Sequence, residues 1–242
     1  DSLKLDQAIK LAKKKAKDGS IEEAKRIYQD ILAQFPKNNK AIDGMRALSG
    51  RSIGKVSKVK KPTSNELQAL VNLYNQGELK QALDLAEVLL QRFPGSSLVH
   101  NICGAIHKSL GQLEASIGAF KKAIAIQPDY ADAWNNIGSA FRGQGKLEEA
   151  IDAYKKALLI RPDFAEAFNN MGNALKEQDK LEEAIEAYKN AIAIQPDYAE
   201  AYNNMGTALT SQGKLENAIM AYNKAITFKP DYAEAYNNLG NV

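Results

Sequence analysis

The stretch ADAWNNIGSAFRGQGKLEEAIDAYKKALLIRPDF, residues 131–164, decides the fold, because the chain repeats it almost letter for letter. Close copies occupy residues 165–198 and 199–232, and a period of 34 also separates Pro162 from Pro196 and Gly138 from Gly172. Self-similarity at this period indicates a stacked array of similar structural units. We number the positions of each unit from Ala131 as position 1.

Each unit carries two amphipathic stripes. Small or apolar residues at positions 4, 7, 8 and 11 share one face of a helix, and a second stripe begins at position 17. Gly145 separates the stripes, Glu148 places acid in the first turn of the second helix, and Pro162 ends that helix. The unit is therefore predicted to be a helix–turn–helix hairpin. One hairpin cannot bury both stripes, so neighbours must stack into an all-α solenoid with a long concave surface.

The order of residues within the unit resembles the tetratricopeptide repeat (TPR) family. The matching residues are Trp134, Ile137, Gly138 and Phe141 in the first helix, and Ala150, Tyr154, Ala157 and Pro162 in the second. The resemblance implies a right-handed superhelix of antiparallel helix pairs that serves as a protein–protein interaction module. The predicted repeats are residues 63–96, 97–130, 131–164, 165–198 and 199–232, with a partial repeat at 233–242.

The net charge changes sign between the residues that precede the predicted array and the array itself. Residues 1–62 hold 16 Lys and Arg against 7 Asp and Glu, a net of +9, whereas residues 63–242 have a net of −6. We expect residues 1–48 to form a divergent TPR-like hairpin followed by a short helix, and residues 49–62 to form a basic flexible linker. A basic arm for nucleic acid is the alternative for the linker. No aromatic residue lies among its lysines, so we expect no nucleic-acid partner.

Several other features limit the class of protein. A single cysteine excludes an internal disulfide framework. No apolar run is long enough to span a bilayer, and the first residues do not form a signal peptide, so we expect no membrane partner and, by default, a cytoplasmic location. Only His100, Cys103 and His107 have metal-ligand spacing, and they fall at the core positions 4, 7 and 11. We therefore predict no metal, no cofactor and no catalytic site in this chain, which is not expected to be an enzyme.

The polar face of the first helix carries the candidate site. At 100° per residue, positions 2, 5, 6, 9, 12 and 13 point away from the apolar stripe. Positions 5 and 6 hold asparagine in the three close copies and in the partial repeat, although asparagine is a mediocre helix former. A carboxamide offers both a donor and an acceptor, which suits the backbone of an extended peptide.

A closer resemblance assigns roles on this face. The repeats are similar to those of O-linked N-acetylglucosamine transferase, in which an asparagine ladder at position 6 contacts the substrate peptide. That resemblance implies a peptide-binding role for the ladder, and we include the position-5 asparagines and the position-12 cations as candidates. The predicted site residues are Asn136, Asn170, Asn204 and Asn238, Asn135, Asn169 and Asn203, and Arg142 and Lys176. Bonding of one asparagine of each pair to a neighbouring repeat is the alternative.

The acids at position 2 bear on the choice of partner. TPR co-chaperones bind a terminal carboxylate with Lys or Arg at positions 2, 5 and 6, whereas position 2 here is Asp132, Glu166, Glu200 or Glu234. We therefore expect a neutral or basic peptide. Two alternatives to a free-standing binding module stay open. The chain is then either the substrate-recognition arm of a larger glycosyltransferase- or sulfotransferase-type enzyme whose catalytic domain follows residue 242, or a scaffold that self-associates head to tail.

Overall fold

The computed structural model describes residues 2–35, 38–49 and 61–242, and within them the regular structure is entirely helical. The chain divides into two compact units, within residues 1–59 and 60–242. The first unit contains α1 (Ser2–Lys17), α2 (Ile21–Gln34) and α3 (Asn39–Ser49). The second contains α4 (Ser64–Asn75), α5 (Leu79–Arg92), α6 (Ser97–Ser109), α7 (Leu113–Ile126), α8 (Ala131–Gly143), α9 (Leu147–Ile160), α10 (Ala165–Glu177), α11 (Leu181–Ile194), α12 (Ala199–Ser211), α13 (Leu215–Phe228) and α14 (Ala233–Gly240).

The first unit is a helical hairpin with a third helix packed against it. Its core gathers Ile9, Ala12, Tyr28 and Leu48, all nearly inaccessible to solvent. Leu11 falls at position 7 of the repeat but is 48% exposed. The first helix of this hairpin therefore does not bury position 7 as α6 buries Cys103 and α8 buries Ile137. Residues 50–60, which make up most of the predicted basic linker, lie outside the described residues.

The turn inside each hairpin of the second unit depends on one residue at position 15. Gly145 has a φ of +73° there, in the left-handed region where a residue without Cβ carries no steric penalty. The equivalent residue of the next repeat is Asp179, with a φ of +61°. In both repeats the following helix begins two residues later, which returns the chain antiparallel to the first helix.

A glycine opposite a tyrosine closes each hairpin of the three close repeats. Gly172 at position 8 lies beneath the ring of Tyr188 at position 24, and a Cβ on Gly172 would come within 2.6 Å of Cε1 of that ring. Tyr188 is fully buried. Ala184 and Ala191 on the same helix are also fully buried, because the small side chains let the two helices approach. The same glycine–tyrosine contact joins Gly138 to Tyr154 and Gly206 to Tyr222.

The direction of curvature follows from which helices approach one another. The second helix of each repeat packs on the first helix of the next, as α9 does on α10 and α11 on α12. Successive first helices also touch: α4 with α6, α6 with α8, α8 with α10 and α10 with α12. No comparable approach joins successive second helices among the described ones. The array is therefore tighter on the side of its first helices, which makes that side the concave face.

Candidate functional site

The concave face is crossed by a chain of hydrogen bonds between asparagines of successive first helices. In each case the position-6 carboxamide donates through Nδ2 to Oδ1 of the position-5 asparagine one repeat earlier. The four bonds are Asn136 to Asn101 (3.1 Å), Asn170 to Asn135 (3.1 Å), Asn204 to Asn169 (3.0 Å) and Asn238 to Asn203 (2.9 Å). This asparagine seam fixes how one repeat sits on the next.

The position-5 asparagines do not face the groove as the helical wheel predicted. Asn135, Asn169 and Asn203 are 2%, 6% and 0% exposed, so a peptide on the concave face cannot reach them. The following first helix covers them, and the wheel of an isolated helix does not include that neighbour. Their remaining donors also serve the seam: Asn135 Nδ2 donates to Glu166 Oε1 at 3.0 Å, and Asn203 Nδ2 donates to Glu234 Oε1 at 3.1 Å.

The position-6 asparagines keep hydrogen-bonding capacity after the seam has formed. Asn136, Asn170, Asn204 and Asn238 are partly exposed, and each uses one N–H in the seam. No described residue donates to their Oδ1 atoms, which can accept from another molecule. The surface available on the concave face is thus a row of carboxamide oxygens at the 34-residue spacing.

Acidic side chains border this row on one side, near the N-termini of the first helices. Glu166, Glu200 and Glu234 are exposed at position 2, where the positive end of the helix macrodipole favours a carboxylate. Asp132 accepts two hydrogen bonds from Arg161, with Nη2 2.6 Å and Nη1 3.1 Å from its carboxylate oxygens. The acid edge is therefore strongest from Glu166 onward, because Asp132 is already paired.

Cations border the row on the other side, near the C-termini of the first helices. Lys108, Arg142 and Lys176 occupy position 12 of three consecutive repeats. Arg142 forms an ion pair with Glu177, with Nε 3.6 Å from Oε1. Burial lowers the pKa of Lys176 from its ordinary value, the expected direction for an ammonium partly removed from water. The concave face thus has an acidic edge, a neutral asparagine row and a basic edge.

Of the histidine–cysteine group of α6, His100 and Cys103 are buried in the core and His107 is only partly buried. His100 Nε2 donates to the carbonyl oxygen of Pro94 at 3.0 Å, and Trp134 Nε1 makes the same bond to Pro128 one repeat later, also at 3.0 Å. Burial raises the pKa of the Cys103 thiol, which disfavours a nucleophilic thiolate. Within the described residues, no group of three His, Cys, Asp or Glu side chains has the geometry to hold a metal ion.

Two cavities on the outer surface were not predicted from the sequence. One, of about 430 Å³, lies between α7, α8 and α9 and is lined by Trp134, Phe141, Glu149 and Asp152 among others; we call it the α7–α9 groove. Lys156 lies over the Trp134 ring, with Nζ 4.5 Å from the centroid. The other, of about 420 Å³, lies at equivalent positions between α11, α12 and α13; we call it the α11–α13 groove. A helical pattern predicts which residues are buried but gives no measure of the space left between helices.

Crossing a bilayer requires a long, apolar helix. None of the helices in the described part of the chain has both that length and that apolar character.

The family of the chain follows from comparison with family models. A TPR repeat model matches residues 104–145, 138–179, 172–210 and 206–242, which together cover more than half of the chain. The protein therefore belongs to the tetratricopeptide repeat family, as its residue pattern predicted, and its fold is an all-α TPR solenoid. No curated protein matches the chain at a significant level.

Solved structures of TPR proteins share the fold. The chain is similar to TTC0263, a thermophilic TPR protein of Thermus thermophilus, with a TM-score of 0.63 and 23% identity over 73% of this chain and 96% of that one. It is similar to MamA of Desulfovibrio magneticus RS-1, with a TM-score of 0.61 and 16% identity over 69% and 95%. It is also similar to YrrB, described as a TPR protein with an unusual peptide-binding site, with a TM-score of 0.56 and 18% identity over 79% and 95%. TPR solenoids are protein–protein interaction modules, and this chain has that general role.

Proposed function

We propose that the concave face of the array binds an extended peptide segment of a partner protein through the position-6 asparagines. The observation that carries the proposal is the unused Oδ1 acceptor on Asn136, Asn170, Asn204 and Asn238. Backbone N–H groups of an extended peptide are present whatever its side chains are. A row of acceptors therefore recognises the extended conformation and leaves sequence preference to the two charged edges. The description of YrrB as peptide-binding and the resemblance to O-linked N-acetylglucosamine transferase support the same role.

The edges define the preferred peptide. Along the helix axis, position 2 is about 6 Å from position 6 on one side, and position 12 is about 9 Å away on the other. Successive side chains of an extended chain point to opposite sides. A peptide lying on the asparagine row would therefore direct alternate residues to Glu166 or Glu200 and to Arg142 or Lys176. The predicted ligand alternates basic and acidic side chains, which refines the expectation of a neutral or basic peptide.

The test distinguishes loss of the asparagine acceptors from loss of the folded structure. The variant Asn136→Ala/Asn170→Ala/Asn204→Ala removes three acceptors, and Asn190→Ala/Asn223→Ala is the matched control, since these asparagines are exposed on the second helices. The probe is a fluorescein-labelled peptide in which lysine and glutamate alternate. We expect about tenfold weaker binding in the triple variant, equivalent to roughly 1.4 kcal/mol, and no change in the control.

A peptide of the same composition tests the edges independently. If all its lysines precede all its glutamates, alternate side chains no longer match the two edges, so we expect weaker binding to the wild-type protein. Added salt should reduce the difference, because exposed charges are screened. Unchanged affinity in the triple variant, with an unchanged circular dichroism spectrum, would refute the role of the asparagine row.

A further inference from the structure

The α11–α13 groove differs from the concave face in both location and chemistry. Its cavity of about 420 Å³ has an apolar lining that includes Tyr202, Met205, Leu209 and Met220. Three cations complete the lining: Lys189, Lys214 and Lys224. None of the described lining residues is acidic, so the groove combines an apolar interior with positive charge.

The difference in charge between the α11–α13 groove and the equivalent α7–α9 groove comes from two positions of the repeat. Positions 19 and 22 line both cavities, and in the α7–α9 groove they are Glu149 and Asp152. In the α11–α13 groove the same two positions are Asn217 and Met220. Two carboxylates have been replaced by an amide and a thioether. The volumes of the two cavities are nearly equal, about 420 and 430 Å³, so this difference changes the charge of the groove without changing its size.

Met220 is exposed because its position in the repeat, position 22, lies on the outer surface of the array. Met220 is 62% exposed, and its equivalents Asp152 and Glu186 are also exposed, although another repeat follows each of them. Ile219 behaves differently: it is 37% exposed, whereas its equivalent Ile185 is 7% exposed beneath the next repeat. Stacking of a further repeat therefore covers position 21 and leaves position 22 open. A large apolar side chain in the open position is unusual in this array and available to a partner.

The lysines determine the charge of the occupant. Lys189 has an ion-pair partner on its own helix, Glu186, with Nζ 3.7 Å from Oε2. Lys214 and Lys224 have no ion-pair partner among the described residues. An acidic ligand would neutralise both without displacing an existing pair. A basic ligand would bring positive charge against positive charge, which is unfavourable.

We propose that the α11–α13 groove is a docking site for an acidic segment of a partner protein that carries an apolar anchor residue. The anchor side chain enters the cavity between Tyr202, Met205 and Met220, where burial of apolar area drives binding. Carboxylates beside the anchor pair with Lys214 and Lys224. Methionines suit such a site because the flexible thioether adapts to different anchor shapes.

Binding is measured with the fluorescein-labelled peptide Glu-Glu-Leu-Phe-Glu-Glu and with its glutamine analogue. The variant Asn217→Glu/Met220→Glu restores acid at the two positions that are acidic in the α7–α9 groove, so it suits the repeat and is expected to fold. We expect this variant, and separately the glutamine analogue, to reduce affinity about tenfold, since each involves several partly exposed charges. The triple asparagine variant of the concave face should bind this peptide normally, which distinguishes this proposal from the proposed function.

Methyl NMR locates the peptide directly. Protein labelled with ¹³C at its four methionine methyl groups gives one probe in the first unit, Met45, and two in the groove, Met205 and Met220. The peptide should shift the two groove signals and leave the Met45 signal in place. Conversely, Glu149→Asn/Asp152→Met should create a second binding site in the α7–α9 groove and raise the stoichiometry from one to two.

Three results would overturn the proposal. The first is unchanged affinity in Asn217→Glu/Met220→Glu with native circular dichroism. The second is a shift of other signals without those of Met205 and Met220. The third is concentration-dependent sedimentation that Asn217→Glu/Met220→Glu abolishes, since the groove would then hold a second copy of this chain.

Discussion

Alanine substitution at adjacent asparagines should separate stability from binding. Asn169 is 6% exposed and accepts from Asn204 Nδ2 at 3.0 Å. Asn169→Ala leaves the Asn204 amide nitrogen without its partner in the interface between repeats, at about 1–3 kcal/mol. The gain in helix preference from Asn to Ala offsets about 0.6 kcal/mol of this. We expect a net loss of roughly 1–2 kcal/mol in the free energy of unfolding.

Asn170→Ala should lower both stability and peptide affinity. Asn170 is partly exposed and makes one seam bond, to Asn135 at 3.1 Å, and Asn135 retains its bond to Glu166. The lost bond leaves Oδ1 of Asn135, which is 2% exposed, without its donor at a cost of about 1–3 kcal/mol; helix preference returns about 0.6 kcal/mol, so stability should fall by roughly 1–2 kcal/mol. Affinity for the alternating peptide should also decline, because the Oδ1 acceptor is gone. Asn190→Ala, on the exposed face of α11, is the matched control: it should leave affinity unchanged and raise stability by about 0.6 kcal/mol, the gain in helix preference alone.

The assay is denaturant unfolding followed by circular dichroism, with peptide affinity measured on the same preparations. Repeat arrays unfold through nearest-neighbour coupling, so the curves are fitted to a repeat-by-repeat model. The expected pattern is a stability loss with normal affinity for Asn169→Ala, and a similar stability loss with weakened affinity for Asn170→Ala. If Asn169→Ala weakens binding as much as Asn170→Ala does, the division of the two positions into seam and groove is wrong.

Three further predictions concern stability. Gly172→Ala should destabilise the array by roughly 1 kcal/mol or more, because overpacking against Tyr188 costs about 1–3 kcal/mol and outweighs a helix-preference gain of about 1 kcal/mol. Thermal and denaturant unfolding both measure this change in stability, and a stabilised variant would contradict the packing argument. Asp179→Gly should stabilise by about 1 kcal/mol, because position 15 has a left-handed φ of +61°. Burial raises the pKa of Tyr198 and Tyr232 to about 12. Their contribution to stability is therefore complete below a pH of about 10 and is lost as the pH rises through about 12. An alkaline titration followed by circular dichroism should be less steep in Tyr198→Phe, and equal steepness would refute the assignment.

The sequence was sufficient to predict the repeat because each signature residue answers a local requirement. Gly145 predicts the turn through its backbone conformation, and Pro162 predicts the end of a helix through its missing amide. Of the three residues with metal-like spacing that were predicted to be core, His100 and Cys103 are buried, as the repeat aligns them with Trp134 and Ile137, whereas His107 is only partly buried. These inferences required only one helix, or one repeat and its copy.

The candidate site required information that one helix does not contain. Positions 5 and 6 are adjacent on the same polar face of an isolated helix, yet Asn135 is buried and Asn136 is partly exposed. The difference comes from the displacement of one first helix relative to the next, which a helical wheel does not include. The outer grooves were missed for a related reason, because each is formed by three helices from two repeats.

Differences between copies mark the places where one repeat can act alone. A residue kept in all the close copies, such as the asparagine at position 6, serves either stacking or a ligand that runs along those copies. A local contact instead needs a residue that the neighbouring copies lack. Met220 meets that condition on the outer surface, because Asp152 and Glu186 stand at its position in the two preceding repeats. The two proposals therefore use one repeat in different ways: an extended ligand on the repeated concave row, and an anchored ligand at the α11–α13 groove, where Asn217 and Met220 stand in place of the acids of the two preceding repeats.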